Sequence, residues 1–247
     1  MRCLHEAAVV LLVVDDLTGQ PLPDAAVFCT TVGRGGVRNA SGFHVFSDLP
    51  PGAYEFVVQH PGYGVCRVNL SRPGALCCAC TVRLPYSQSH PRLGGRRHLL
   101  FRLSDGAGPL AGQQAAIRLE SPSPPLRVVE DADKGAVLLA LNGPPGPELL
   151  ARELADGVGG PVVLAGLAPE ARAYQLDRPL EGAVRSGSRM RPVWRFETDR
   201  EGAAVLPIQP LLMPEGALSF TVSCGGRERQ AQVEPFLENE RRVDVLF

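Results

Sequence analysis

The chain has 247 residues, 45% of them apolar and 21% charged, and a net charge of −1. That apolar content is enough for the packed cores of one large domain or of two to three small ones. A charge balance this close to neutral excludes the concentrated excess of Lys and Arg that nucleic-acid or anionic-membrane partners require.

The apolar run from Ala7 to Val14 is followed at once by Asp15 and Asp16 and carries no small-residue cleavage site. It reads as a buried strand, too short to cross a bilayer and wrongly flanked for a signal peptide. The expectation is synthesis in the cytoplasm without a signal peptide, no membrane insertion, and release only as part of an assembled particle. The sequons at Asn39 and Asn69 would then stay unmodified.

Next comes "TGQPLPDAAV", in which Pro21 and Leu22 cannot continue a central strand, because Pro fixes φ and donates no N–H. They are read as a corner between the first and second strands. "GRGG" at 33–36 lacks the Lys and helix of a phosphate loop and is read as a hairpin turn. Gly42 opens the apolar strand "GFHVFSDL", and Pro51 and Gly52 close the "PPG" turn, where Gly52 is expected at the positive φ of a type II turn. The strand "AYEFVVQH" follows, with Tyr54, Phe56 and Val58 on one face, and then Gly62 and Tyr63 in "HPGYG".

These signals recur in one order. The Pro-Leu element returns as Pro109-Leu110 and Pro179-Leu180, the strand-opening glycine as Gly135 and Gly202, and the turn glycine as Gly146 and Gly216. Self-similarity of this kind marks a repeat architecture. The expectation is three tandem β-sandwich domains at 1–88, 96–168 and 170–247, with residues 85–97 as the linker. The fold class is all-β, tandem antiparallel sandwiches, because short strands with frequent turn signals occur without crossover helices. One short helix is expected at 147–155, where "PELLARELA" opens with Pro and pairs Glu148 with Arg152 at i,i+4.

The seven cysteines form no even framework. Cys29, Cys66 and Cys224 are expected to be buried, reduced and unpaired. In "CCAC" at 77–80 only Cys78 and Cys80 can share a strand face, and no second ligand pair completes a tetrahedral site, so no metal and no cofactor is expected. The histidines offer no nucleophile–base–carboxylate signature. His44 and His60 fall on neighbouring expected strands and are read as surface imidazoles. Trp194 alternates with Phe196 and is read as core.

The stretches "VVDDLTGQPLPDAAV" and "GFHVFSDLPPGAYEFVVQHPGYG" resemble the carboxypeptidase regulatory-like, or transthyretin-like, seven-stranded sandwich, related in style to the B-type repeats of bacterial collagen adhesins. The resemblance is good over 7–85, weaker over 170–247 and weakest between. It specifies fold better than function. It implies a non-catalytic spacer, a stabilising domain, or a module that binds carbohydrate or protein. The transthyretin-like hydrolases end in Tyr-Arg-Gly-Ser, whereas this chain ends in "RRVDVLF". The Lys-to-Asn staple of adhesin repeats is not expected, since Lys134 is the only lysine. The favoured expectation is a non-enzymatic structural or binding protein presented to a protein partner or larger assembly, such as a phage-tail-like or contractile-injection particle. The alternative is a carbohydrate or small-ligand module with a groove of exposed Tyr63, Tyr86 or Trp194.

Overall fold

The computed structural model describes residues 6–74, 76–122, 125–142, 149, 152–155, 161–208 and 216–247. It divides into two compact units, Met1–His90 and Pro91–Phe247. Both are all-β, and the second also carries short 3-10 turns at Pro91–Gly95 and Pro169–Ala171. No helix among the described residues is long and apolar enough to cross a membrane.

The first unit contains β1 (Ala7–Asp15), β2 (Ala26–Cys29), β3 (Arg34–Gly35), β4 (Val37–Arg38), β5 (Phe43–Ser47), β6 (Gly52–Gln59), β7 (Cys66–Arg72) and β8 (Cys78–Leu84). One sheet has the order β4-β5-β1-β8 and the other β3-β2-β6-β7. β1 is flanked by antiparallel β5 and parallel β8. The alternation in "GAYEFVVQ" buries Tyr54, Phe56 and Val58 as expected of a half-buried strand. Phe46 of one sheet meets Phe56 of the other edge-on, with centroids 4.9 Å apart, and this contact joins the two inner faces.

The second unit contains β9 (His98–Asp105), β10 (Gly108–Pro109), β11 (Gln114–Leu119), β12 (Leu126–Arg127), β13 (Leu138–Leu139), β14 (Glu153–Ala155), β15 (Pro161–Ala168), β16 (Ala173–Leu176), β17 (Arg189–Glu197), β18 (Ala203–Pro207), β19 (Leu218–Cys224), β20 (Arg227–Val233) and β21 (Glu240–Leu246). β9 lies between antiparallel β18 and parallel β21, as β1 lies between β5 and β8. The order β11-β19-β20 repeats β2-β6-β7. Here Phe101 of β9 and Phe220 of β19 meet edge-on across the two sheets, with centroids 5.5 Å apart.

This pairing departs from the division into 96–168 and 170–247. Apart from the two-residue β10, β9 and β11 take their partners from β17, β18, β19 and β21, all beyond residue 170, so strands from both expected domains build one sandwich with a single continuous core. The second sandwich is one copy of the fold, interrupted between β11 and β18. Residues 30–42 make that connection in the first unit and residues 120–202 in the second. The inserted strands extend the sheet outward from β11 in the order β17-β14-β15-β16-β13, with β12 also on β17. Leu139, Leu154, Leu164 and Met190, all with no exposed surface, join the insertion to the common core.

The helix expected at 147–155 gives way to strand at Glu153–Ala155, which pairs with both β15 and β17. Burial of Leu154 and the bidentate ion pair of Glu153 with Arg195, at 2.5 and 2.7 Å, outweigh a helix propensity of a few tenths of a kcal/mol per residue. Residues 147, 148, 150 and 151 lie outside the described residues.

A segment comprising residues 91–247 is expected to unfold in urea as one cooperative transition. Residues 170–247 alone, lacking β9 and β11, are expected not to fold. Two separable transitions within 91–247 would restore the three-domain division.

Candidate functional site

Two of the Pro-Leu corners share one backbone hydrogen-bond pattern. Leu22 donates its N–H to Val13 O at 2.9 Å and Leu110 donates to Leu103 O at 2.9 Å, each just after a proline that pairs back onto the first strand. Both leucines are half-buried. Gly42 and Gly202 are likewise equivalent. Each has positive φ, 83° and 71°, and closes a turn whose first residue accepts two backbone N–H groups through its side chain. Asn39 Oδ1 accepts from Ser41 and Phe43 at 3.0 and 2.9 Å, and Asp199 Oδ1 from Glu201 and Ala203 at 2.9 and 2.8 Å. These two caps were not singled out in the sequence, although Asn and Asp three residues ahead of a strand-opening Gly is the signal that finds them.

Pro179, Leu180 and Gly135 do not form a further copy. Gly135 N donates to Leu180 O and Leu180 N to Ala136 O, both at 2.9 Å, so these residues bond to each other inside the insertion, where Leu180 is buried and Pro179 exposed. Gly146 lies outside the described residues. Gly216 is exposed and, like Gly52, lacks positive φ.

Gly52 is the first residue of β6, and the positive φ of its turn, 56°, belongs to Asp48. The reason is the proline pair. Leu49 and Pro50 each precede a proline and are pushed towards extended backbone, so the reversal is completed upstream at an Asp, which tolerates the left-handed region. Pro51 leads directly into β6, and Tyr54 Oη and Arg72 donate to Pro50 O and Leu49 O at 2.5 and 2.6 Å, holding the turn.

Gly62, with φ 81°, and Tyr63 lie beside the most elaborate polar cluster of the first unit. At the end of β1 the buried Asp15 carboxylate accepts from Tyr63 and Tyr86 Oη at 2.7 and 2.9 Å, and from Leu17 and Thr18 N at 3.0 and 2.7 Å. Burial acts to raise the Asp15 carboxyl, but the hydrogen bonds from Tyr63, the Thr18 backbone and Tyr86 outweigh it and leave the group below its ordinary value. Tyr86 stacks on His90 at 3.9 Å, and Tyr63 meets His90 and His60 edge-on at 4.6 and 4.9 Å. Gly62 O accepts from Ser87 Oγ at 2.8 Å, fixing the loop onto the segment that carries Tyr86. The four donors make this carboxylate a corner post; a general base would need a lone pair facing substrate.

A second network sits where β11 runs into the insertion. Glu120 accepts from Arg118 Nε at 2.8 Å and Thr221 Oγ at 2.5 Å, and Arg191 Nε lies 3.0 Å from its other oxygen. Burial acts to raise this carboxyl; the bonds from Thr221 and Arg118, with the charges of Arg118 and Arg191, hold it below its usual range. Beside it is a concave site of about 120 Å³ lined by Glu120, Pro122, Leu126, Arg189, Met190 and Arg191.

An exposed aromatic groove is not formed. Trp194 is buried, with the Arg152 guanidinium 4.7 Å from its ring centroid, and Tyr86 is buried in the Asp15 cluster. His44 and His60 do not meet: His44 is buried on β5, while His60 follows β6 and packs on Tyr63. Cys29 and Cys224 are buried thiols, whereas Cys66 is only half-buried because its edge strand β7 leaves that face partly open. Burial pushes the Cys224 thiol up, partly offset by the Arg227 charge. Among the described residues no three His, Cys, Asp or Glu side chains converge to hold a metal.

No protein-family profile and no curated protein matches the sequence. Alignments to solved structures include the Bacillus anthracis TIE protein (TM-score 0.27, 11% identity, 98% of this chain and 33% of that one) and a streptococcal ancillary pilin (0.26, 13%, 96% and 61%). The shaft pilin spaA from Lactobacillus rhamnosus GG also aligns (0.24, 11%, 98% and 98%). The chain thus spans about a third of the first of these and about three-fifths of the second. At such TM-scores the alignments carry no argument, and the fold stands on the strand pairing itself.

A Cβ on Gly202 would lie 2.4 Å from Leu103 O, at a φ that L-residues rarely adopt, so Gly202→Val should destabilise the second unit by at least about 1–3 kcal/mol in thermal unfolding of the full chain. Gly52→Val, where a Cβ comes no nearer than 3.7 Å to the Tyr54 ring, should cost under about 1 kcal/mol. Burial, with the Arg38 charge, lowers His44 below its ordinary 6.5, and its Nε2 meets no hydrogen-bond partner among the described residues. The unfolded chain therefore takes up a proton that the folded one refuses. Stability of the first unit should be full above the unfolded value and fall as pH drops through it, levelling below the folded value. Hydrogen exchange of β1 and β5 amides at pH 8 and pH 5.5 should show this loss in the wild type and a smaller one in His44→Phe; equal losses would remove His44 as the cause.

Proposed function

We propose that this protein is a non-enzymatic modular element of a larger protein assembly, with two transthyretin-like sandwiches as scaffold and the inserted sheet of the second as its presenting surface. The observation that carries this reading is the placement of the insertion. It leaves the sandwich after β11 of one sheet, re-enters at β18 of the other, and extends the first sheet from the outer edge of β11, so strands are added while the pairings of β9 with β18 and β21 are retained. Function is commonly carried by such connections on a rigid scaffold. The best-positioned acids, Asp15 and Glu120, are engaged in hydrogen bonds and ion pairs that hold the fold. A phage-tail-like or contractile-injection particle is the specific form of assembly we favour.

The test is sedimentation of lysate from the native cell under gentle conditions, followed by mass spectrometry of the fractions that contain the chain. Recovery in a defined high-mass particle with stoichiometric protein partners is the expected result. A free chain that binds a glycan array would replace this reading with the carbohydrate-module alternative, and turnover of any substrate would overturn it.

A further inference from the structure

We propose that the arginine pair formed by Arg127 of β12 and Arg189 of β17 captures a carboxylate side chain from an acidic segment of a protein partner. This deepens, and rests on, the reading of the chain as part of an assembly. Arg127 of β12 and Arg189 of β17 are directly opposite each other in an antiparallel pair. Opposed residues of this kind have Cβ atoms only about 4.5–5.5 Å apart, and like charges there are unfavourable. Neighbouring basic residues on β11 and β17 are neutralised within the unit: Arg118 and Arg191 by Glu120, and Arg195 by Glu153. The exposed guanidinium groups of Arg127 and Arg189, by contrast, meet no carboxylate among the described residues. Two uncompensated positive charges therefore sit side by side on a chain of net charge −1.

The backbone beneath them is held firmly. Arg127 N and O bond to Asn142 Oδ1 and N at 2.6 and 2.9 Å, and Asn142 Nδ2 donates to Pro125 O at 2.8 Å, so β12 is fixed on both sides. Arg189 also lines the 120 Å³ concavity, whose other walls include Pro122, Leu126 and Met190 together with the Glu120–Arg191 ion pair, in which the acid is already balanced by Arg191 and Arg118. A guanidinium fork beside a small apolar hollow suits a carboxylate on a short aliphatic stem, since the fork takes both oxygens while the stem is removed from water. An arginine pair whose basic neighbours Arg118, Arg191 and Arg195 are each held by a glutamate offers no continuous run of free positive charge for a nucleic-acid backbone.

The probe is an acetylated, amidated peptide of alternating Glu and Leu, titrated into the full chain by calorimetry beside its Gln-Leu counterpart. The expected result is binding of the Glu peptide alone, weakened by added salt. Arg189→Gln and Arg127→Gln should each lose about tenfold in affinity, while Arg200→Gln, the same charge change in the turn before β18, should leave it intact. Equal affinity for the two peptides, equal losses in all three variants, or displacement of the peptide by millimolar inorganic phosphate would overturn the proposal. Sedimentation of the Arg127→Gln, Arg189→Gln double variant separates the two readings. If the wild-type chain enters no particle, the assembly reading fails; if the wild-type and variant chains enter equally, only the carboxylate site fails.

Discussion

Both sandwiches depend on one requirement: the strand that begins each unit is central to its sheet, so its backbone needs hydrogen-bonding partners on both edges. An unpaired buried backbone group costs roughly as much as a lost hydrogen bond, so the demand is strict along a strand buried like β1 or β9. In each unit one edge is filled by a hairpin-style antiparallel strand and the other by the last strand of the unit, running parallel. Residues distant in sequence must therefore return to the first strand. For β9 the antiparallel partner, β18, comes only after the entire insertion. Whatever the insertion does, its ends must arrive where β11 leaves off and β18 begins.

That requirement explains the form of the extra sheet. A long connection with no structure of its own would be entropically costly and would leave the outer edge of β11 unpaired. In the first unit β3 makes a short pairing along the equivalent edge of β2. In the second, β17 pairs with five residues of β11, and the remaining inserted strands continue the same sheet, burying Leu154, Leu164 and Met190 in the core of the sandwich. The insertion thus shares the core and cannot be cut away as a separate domain.

The two copies differ most at their loops. The first strand ends in Asp15 in one and Asp105 in the other, and each side chain accepts a backbone N–H from the turn that follows. Around Asp15 the chain adds Tyr63 from the loop between β6 and β7 and Tyr86 from the segment after β8. Around Asp105 the corresponding connection is the tight Gly225-Gly226 hairpin, and Arg227 comes within 3.7 Å of the acid. An acid withdrawn from water, fully at Asp15 and partly at Asp105, needs donors or a cation, and each copy meets that need with the connection it has.

Much of the local structure was legible because it is local. Pro and Gly restrict or free their own backbone, and alternation of side chains assigns a strand and its buried face, so the corners at Pro21-Leu22 and Pro109-Leu110, the strands after Gly42 and Gly202, and the all-β class could all be read from the residues alone. The same signals misled where equivalence depended on distant partners. Pro179-Leu180 and Gly135 carry the right residue types, but they bond to each other within an insertion. Nothing local distinguishes a third copy from a second copy that has been interrupted, because that difference lies in which strand closes the edge of β9. The acid cluster at Asp15 and the arginine pair at Arg127 and Arg189 are assembled from segments far apart in the chain, and only the register of paired strands brings them together. Turn chemistry and periodicity are written residue by residue, whereas strand order and the sites it creates are decided when the backbone satisfies its hydrogen bonds in three dimensions.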